Sequence, residues 1–104
     1  SERRGDFAIV AAAAWAERYA DDEGYRYGLG LGGVEDRPMW TRGGIGRAPD
    51  DLADLAAEIT DGLTRDLAPM RDQRASADYR LHLAGHLGHR AILRALEQAT
   101  EGRP

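Results

Sequence analysis

His82, His86 and His89 fall at i, i+4 and i+7, so one helix carries all three on a single face. Imidazoles so spaced can share a zinc or nickel ion, and three of them leave a coordination position open for chemistry. No carboxylate stands as an obvious fourth ligand or ring-orienting partner, and H-E-x-x-H is absent. The three are therefore read as partly exposed histidines bordering a core, and no metal is expected. Gly28-Leu29-Gly30-Leu31-Gly32-Gly33 spells G-x-G-x-x-G. A dinucleotide site needs those glycines in a turn that opens a helix, so that pyrophosphate meets the helix N-terminus. Here Val34-Glu35-Asp36-Arg37-Pro38 follows, which opens no helix and brings two negative charges close. The glycines read instead as one face of a strand that another backbone approaches. Asp21/Asp22, Glu35/Asp36 and Asp50/Asp51 are adjacent acids of the kind that mark turns and caps. Arg4-Gly5-Asp6 spells an integrin tripeptide, but nothing else in the chain marks an extracellular protein. With no cysteine, no G-x-S-x-G elbow and no Walker loop, the chemistry-bearing residues form no self-sufficient active site.

The elements that must position them read as strands first and helices second. Phe7, Ile9, Ala11, Ala13, Trp15 and Tyr19 fall on alternate positions, with Ala8, Ala12, Ala14, Ala16 and Arg18 between them. Alanine favours helix. The alternation, the polar turn Asp21-Asp22-Glu23-Gly24 and the alternating run Tyr25 to Leu31 nonetheless predict strand, turn and strand. Gly24 is a glycine able to take positive φ there. Gly32 to Pro38 breaks the second strand. Pro38-Met39-Trp40-Thr41 reads as a short third strand or edge segment, and Gly43 to Pro49 as a flexible connection. Asp50 is expected to cap a helix whose stripe is Leu52, Leu55, Ala56, Ile59 and Leu63, ending near Asp66 to Pro69. A long helix from Ser76, its expected N-cap, to Ala99 sets Tyr79, Leu83, Leu87, Ile92, Leu93 and Leu96 against Arg80, Arg90, Arg94 and Glu97. Gly102 and Pro104 stand just past its last apolar residue. Strands segregated from helices predict a single α+β domain over residues 1–104: a small antiparallel sheet of two to three or more strands packed on two to three helices.

A formal net charge of −4 argues against a nucleic-acid or anionic-membrane partner. No apolar run approaches the roughly 20 residues of a membrane span. The charged start Ser1-Glu2-Arg3-Arg4 has no signal-peptide core, and a cytoplasmic location is expected.

Three stretches carry a resemblance. Arg3-Arg4-Gly5-Asp6-Phe7-Ala8-Ile9-Val10 resembles the segment opening the C-terminal domain of the FAD-binding (medium) subunit of molybdenum hydroxylases, the carbon monoxide dehydrogenase and xanthine dehydrogenase family. Leu31-Gly32-Gly33-Val34-Glu35-Asp36-Arg37-Pro38 resembles that family's LGGV-x-D-x-P turn, and Arg74 to Ala84 its R/H-A-S-x-x-Y-R-x-x-L-A helix start. Arg90-Ala91 follows where members usually carry R-A. The order and spacing match over nearly the whole chain.

The resemblance implies an oxidoreductase subunit in which FAD is held mostly by N-terminal subdomains that this sequence does not contain. The C-terminal domain would close one side of the flavin site, with Arg3, Arg4, Gly5 and Asp6 nearest the ring system. Iron–sulfur clusters would feed electrons through FAD to an acceptor, and substrate would be oxidised at molybdenum on another subunit. The implied partners are the FAD-binding domain and the iron–sulfur and molybdenum subunits. The 104 residues alone are expected to be catalytically silent and to retain little FAD. The reading from a different class is an interaction or scaffold domain that kept this fold without flavin chemistry.

Overall fold

The structure is a computed structural model that describes residues 10–19, 24–34, 37–47, 49–65 and 74–101, the side chains of 74–78 and 101 excepted. It is an α+β domain with three antiparallel strands in the order β1 (Ala11–Arg18), β2 (Tyr25–Gly32), β3 (Met39–Ile45), followed by α1 (Leu52–Thr64) and α2 (Arg74–Glu101). Both helices lie on one face of the sheet. Among the described residues nothing covers the other face.

The central strand β2 sends Leu29 and Leu31 into the core, where both are almost fully buried against Ile92 and Leu96 of α2 and Leu55, Ala56 and Ile59 of α1. Burying each leucine is worth about 1.5–3 kcal/mol. On β1 the inward positions are Ala12, Ala14 and Ala16, small enough for α2 to lie close along that strand. This explains why an alanine run folds as strand. The gain from packing a flat, small-residue face under a 28-residue helix outweighs a helix preference of only tenths of a kcal/mol per residue. The expected alternation holds, with Ala11, Ala13, Trp15 and Glu17, the larger set, turned away from the helices.

A Cβ on Gly88 would stand 3.2 Å from Thr60 Cγ2 and 3.5 Å from Leu31 Cδ2, so α2 crosses both α1 and β2 there. Near the far end of the helix, Tyr25 Oη and Thr100 Oγ1 are 2.5 Å apart. Helix α2 therefore runs antiparallel to β2. Its fully buried row is Ala84, Gly88, Ile92 and Leu96, with Leu83, Leu87 and Leu93 half-buried beside it.

Several expectations need correction. The third strand is longer than read, because Gly43, Gly44 and Ile45 pair with Tyr27, Arg26 and Tyr25 rather than forming a loose connection. Gly24 does not take positive φ; only Gly33 does among the described residues, at 88°. Gly24 is small for another reason: a Cβ there would fall 2.2 Å from the Ile45 carbonyl oxygen. The cap of α1 is Asp51, whose Oδ1 accepts the Ala53 N–H at 2.9 Å, not Asp50. Helix α2 begins at Arg74, so Ser76 lies inside it and is not its N-cap. Tyr79 is 55% exposed and lies off the buried stripe. Arg80, four residues before Ala84, is half-buried on that stripe rather than opposite it. Phe7, Ile9, the turn 21–23, Glu35, Asp36, residues 66–69, Gly102 and Pro104 lie outside the described residues.

Candidate functional site

Register decides which ends meet. Ala11 pairs with Gly32 and Gly30 with Trp40, so the start of β1, the end of β2 and the start of β3 converge at one edge of the sheet. The chain leaves that edge through Gly33, whose φ of 88° favours glycine, and folds Val34 back into the core. The outer surface there is a shallow, almost wholly apolar depression of about 200 Å³ floored by Ala11, Ala13, Gly30 and Gly32 and edged by Pro38 and Trp40. With so little side chain on the floor, a planar group or a neighbouring backbone can come to van der Waals distance.

Arg80 belongs to the same end of the molecule. From Gly88, which lies over Leu31, eight residues of helix toward the N-terminus cover about 12 Å. The same distance beyond Leu31 is about three to four extended residues, the level of Val34. Among the described residues Arg80 Nε, a buried atom, has no hydrogen-bond partner. A buried guanidinium N–H left unpaired costs about 1–3 kcal/mol or more. An anionic or carbonyl oxygen brought to it would recover that cost.

The outer face continues from the depression along a track of glycines. A Cβ on Gly30 would stand 2.5–2.6 Å from Cζ3, Cε3 and Cη2 of Trp40, and one on Gly28 2.2–3.0 Å from Nε1, Cε2 and Cδ1 of Trp15. Comparable approach to three successive ring atoms is possible only across the face of the indole. Both rings therefore lie flat on β2, inner faces on glycine backbone and outer faces open, with Trp15 42% and Trp40 59% exposed. The Tyr19 hydroxyl reaches Gly44, 2.6 Å from where a Cβ would be. Arg42, in register with Gly28 and Trp15, shares with the two indoles an open cavity of about 430 Å³.

The G-x-G-x-x-G letters are thus explained by indoles rather than by a dinucleotide or a second backbone. Gly28 and Gly30 lie inside a strand, and β3, not a helix, is the next element. His82 and His86 are exposed and His89 is half-buried, and they border a shallow cavity of about 400 Å³ between the helices together with Thr60 and Asp61. His89 Nε2 lies 3.3 Å from the Ala53 carbonyl oxygen. Among the described residues no three His, Cys, Asp or Glu side chains are placed to hold a metal ion. Tyr27 has its pKa raised above 10.0, first by burial and then by the Glu58 carboxylate. Arg3, Arg4, Gly5 and Asp6 lie outside the described residues. Sequence reasoning missed Trp15, Trp40 and the buried side of Arg80. The available signal was glycine at every second position of a strand, which leaves room for a neighbouring strand's aromatic ring.

No helix among the described residues is long and apolar enough to cross a membrane. The family model of the CO dehydrogenase flavoprotein C-terminal domain matches residues 1–95. No curated protein and no solved structure matches the chain.

Proposed function

The chain belongs to the CO dehydrogenase flavoprotein C-terminal domain family, and on that premise we propose that it closes one side of an FAD site in a molybdenum hydroxylase-type oxidoreductase. Its partners would be the FAD-binding part of the flavoprotein and the iron–sulfur and molybdenum subunits of the assembly, in the cytoplasm. When bound, FAD supplies the redox chemistry that carries electrons from iron–sulfur clusters to an acceptor. The chain's own residues shape and charge the edge of that site.

The observation that carries this reading is the pairing of Ala11 with Gly32. It joins the lead-in to β1 and the Leu31-Gly32-Gly33-Val34 turn, two of the stretches that resemble the flavoprotein family, at one edge of the sheet. Asp6 is five residues from Ala11, within about 17 Å of chain reach. The residues at this edge suit a flavin ring. The open part of the floor, Ala11, Ala13 and Gly32, admits the edge of a flat heterocycle, and Arg80, on the helical side of the same end, would donate to it only by turning outward. In this reading Arg3, Arg4, Gly5 and Asp6 line the flavin edge: glycine for close backbone approach, the charged side chains to bias flavin potential and acceptor access.

The test is co-expression with the FAD-binding region of a flavoprotein of this family, reading flavin retained per mole of complex after gel filtration. Arg4→Ala and Asp6→Ala are expected to lower retention while leaving the circular dichroism of the chain unchanged. Arg80→Met is expected to lower retention and at the same time stabilise the chain alone by up to about 1–3 kcal/mol, because the unpaired buried donor is gone. Unchanged retention in all three variants would refute the assignment. A chain that forms no complex with the FAD-binding region would favour the scaffold reading.

A further inference from the structure

We propose that Trp15 and Trp40, with Arg42 beside them, bind a planar heteroaromatic ring bearing a negative charge, the chemistry of a nucleotide, on the sheet face turned away from the helices. This does not rest on the flavin assignment. Covering the glycine backbone of β2 uses only the inner face of each indole. The outer faces are left over, and they are what a stacking ligand needs. The two rings rest over Gly28 and Gly30, stations about 7 Å apart along one strand, so a fused ring system can lie across both. Each ring is seated on backbone, with no Cβ beneath it to push it off the sheet. Stacking on it therefore costs little further ordering.

The polar component is on the same surface. Arg42 lines the open cavity of about 430 Å³ with both indoles, a size suited to a small ligand. Among the described residues it makes no hydrogen bond or ion pair, unlike Arg26, which is held by Glu17 at 2.5 Å on the same face. A free guanidinium beside aromatic faces recognises a phosphate or carboxylate attached to a stacked ring. Glu17, the acidic side chain among the described strand residues of this face, is already paired with Arg26, so it presents little unbalanced repulsion to an anion.

Two tryptophans in the chain make the experiment direct. In the ¹⁵N-labelled chain the two indole N–H resonances are assigned with Trp15→Phe and Trp40→Phe. They are then followed during titration with AMP, riboflavin 5′-phosphate, riboflavin and inorganic phosphate. Both resonances are expected to move to saturation with AMP and riboflavin 5′-phosphate, the tighter of the two naming the heterocycle preferred. Trp40→Leu should weaken binding by about tenfold or more, whereas Trp40→Phe, which keeps a ring, should retain most of it. Gly30→Val, which displaces the indole, should weaken binding similarly. Arg42→Gln should weaken the two phosphate esters severalfold and leave riboflavin unchanged. Circular dichroism of each variant reports whether the fold is kept. The proposal is overturned if no ring compound moves the indoles at millimolar concentration, if phosphate alone moves them equally, or if Trp40→Leu binds as the parent does. It is also overturned if the indoles respond only when the FAD-binding region is present, since the face is then a protein contact. Flavin retention by the co-expressed pair is a separate reading, so either assignment can fail without the other.

Discussion

A single tyrosine shows how this small core treats a polar group. Tyr27 points toward the helices from β2, its ring crossing to Gly43, where a Cβ would stand 2.9 Å from the hydroxyl. Burial, and then the carboxylate of Glu58 on α1, favour the neutral phenol. An unfolded tyrosine releases its proton near 10 while the folded one holds it to higher pH. The stability this tyrosine contributes is therefore fully present below pH 10.0 and lost as pH rises through the raised value. Comparing urea midpoints at about pH 9 and about pH 11, Tyr27→Phe is expected to lose less stability than the parent over that interval. An equal loss in both proteins would show that the hydroxyl is solvated in the folded state. Thr60 is handled differently. It is fully buried, but its hydroxyl donates to the Ala56 carbonyl at 2.8 Å, so it leaves no donor unpaired.

At the scale of elements, local chemistry sets boundaries that pattern alone misplaces. Asp50 and Asp51 are adjacent, and either could open α1 by residue type. Asp51 has the extended backbone, φ −104° and ψ 109°, and its carboxylate turns back onto the Ala53 N–H. Asp51→Ala is expected to cost about 0.5–2 kcal/mol in chemical denaturation and Asp50→Ala almost nothing. The same limit explains what could be read from sequence. The hairpin, the two helices and the layering were legible because alternation and helical spacing report burial directly, as at Leu29, Leu31, Leu55 and Ile59. The reach of β3 was not legible, since Gly43 and Gly44 carry no side chain to alternate. Nor was the buried side of Arg80, which hydrophobicity assigns to solvent although it sits one turn before Ala84. For the candidate site, the two family-like segments were visible as motifs, but only the strand register brought them to one edge. The glycine track was noticed, while its partners Trp15 and Trp40 lie on other strands and no spacing along the chain connects them.

For the whole molecule, the stretch matched by the family model ends at residue 95, one position before a buried leucine. Leu96 completes the core and Thr100 closes it against Tyr25, 75 positions away in sequence. The last turns of α2 therefore hold the first hairpin in place. That dependence has a consequence for β1, which owes its extended form to neighbours made later in synthesis. A nascent segment holding Ala11 to Ala16 has no β2 to pair with and no α2 above it, so its own preference is to coil. A synthetic peptide of residues 8–20 in aqueous trifluoroethanol is expected to give a helical circular dichroism spectrum. A β spectrum from that peptide would show instead that the strand is encoded locally. Only with β2 beside it and α2 above it does this alanine run have the partners that hold it extended.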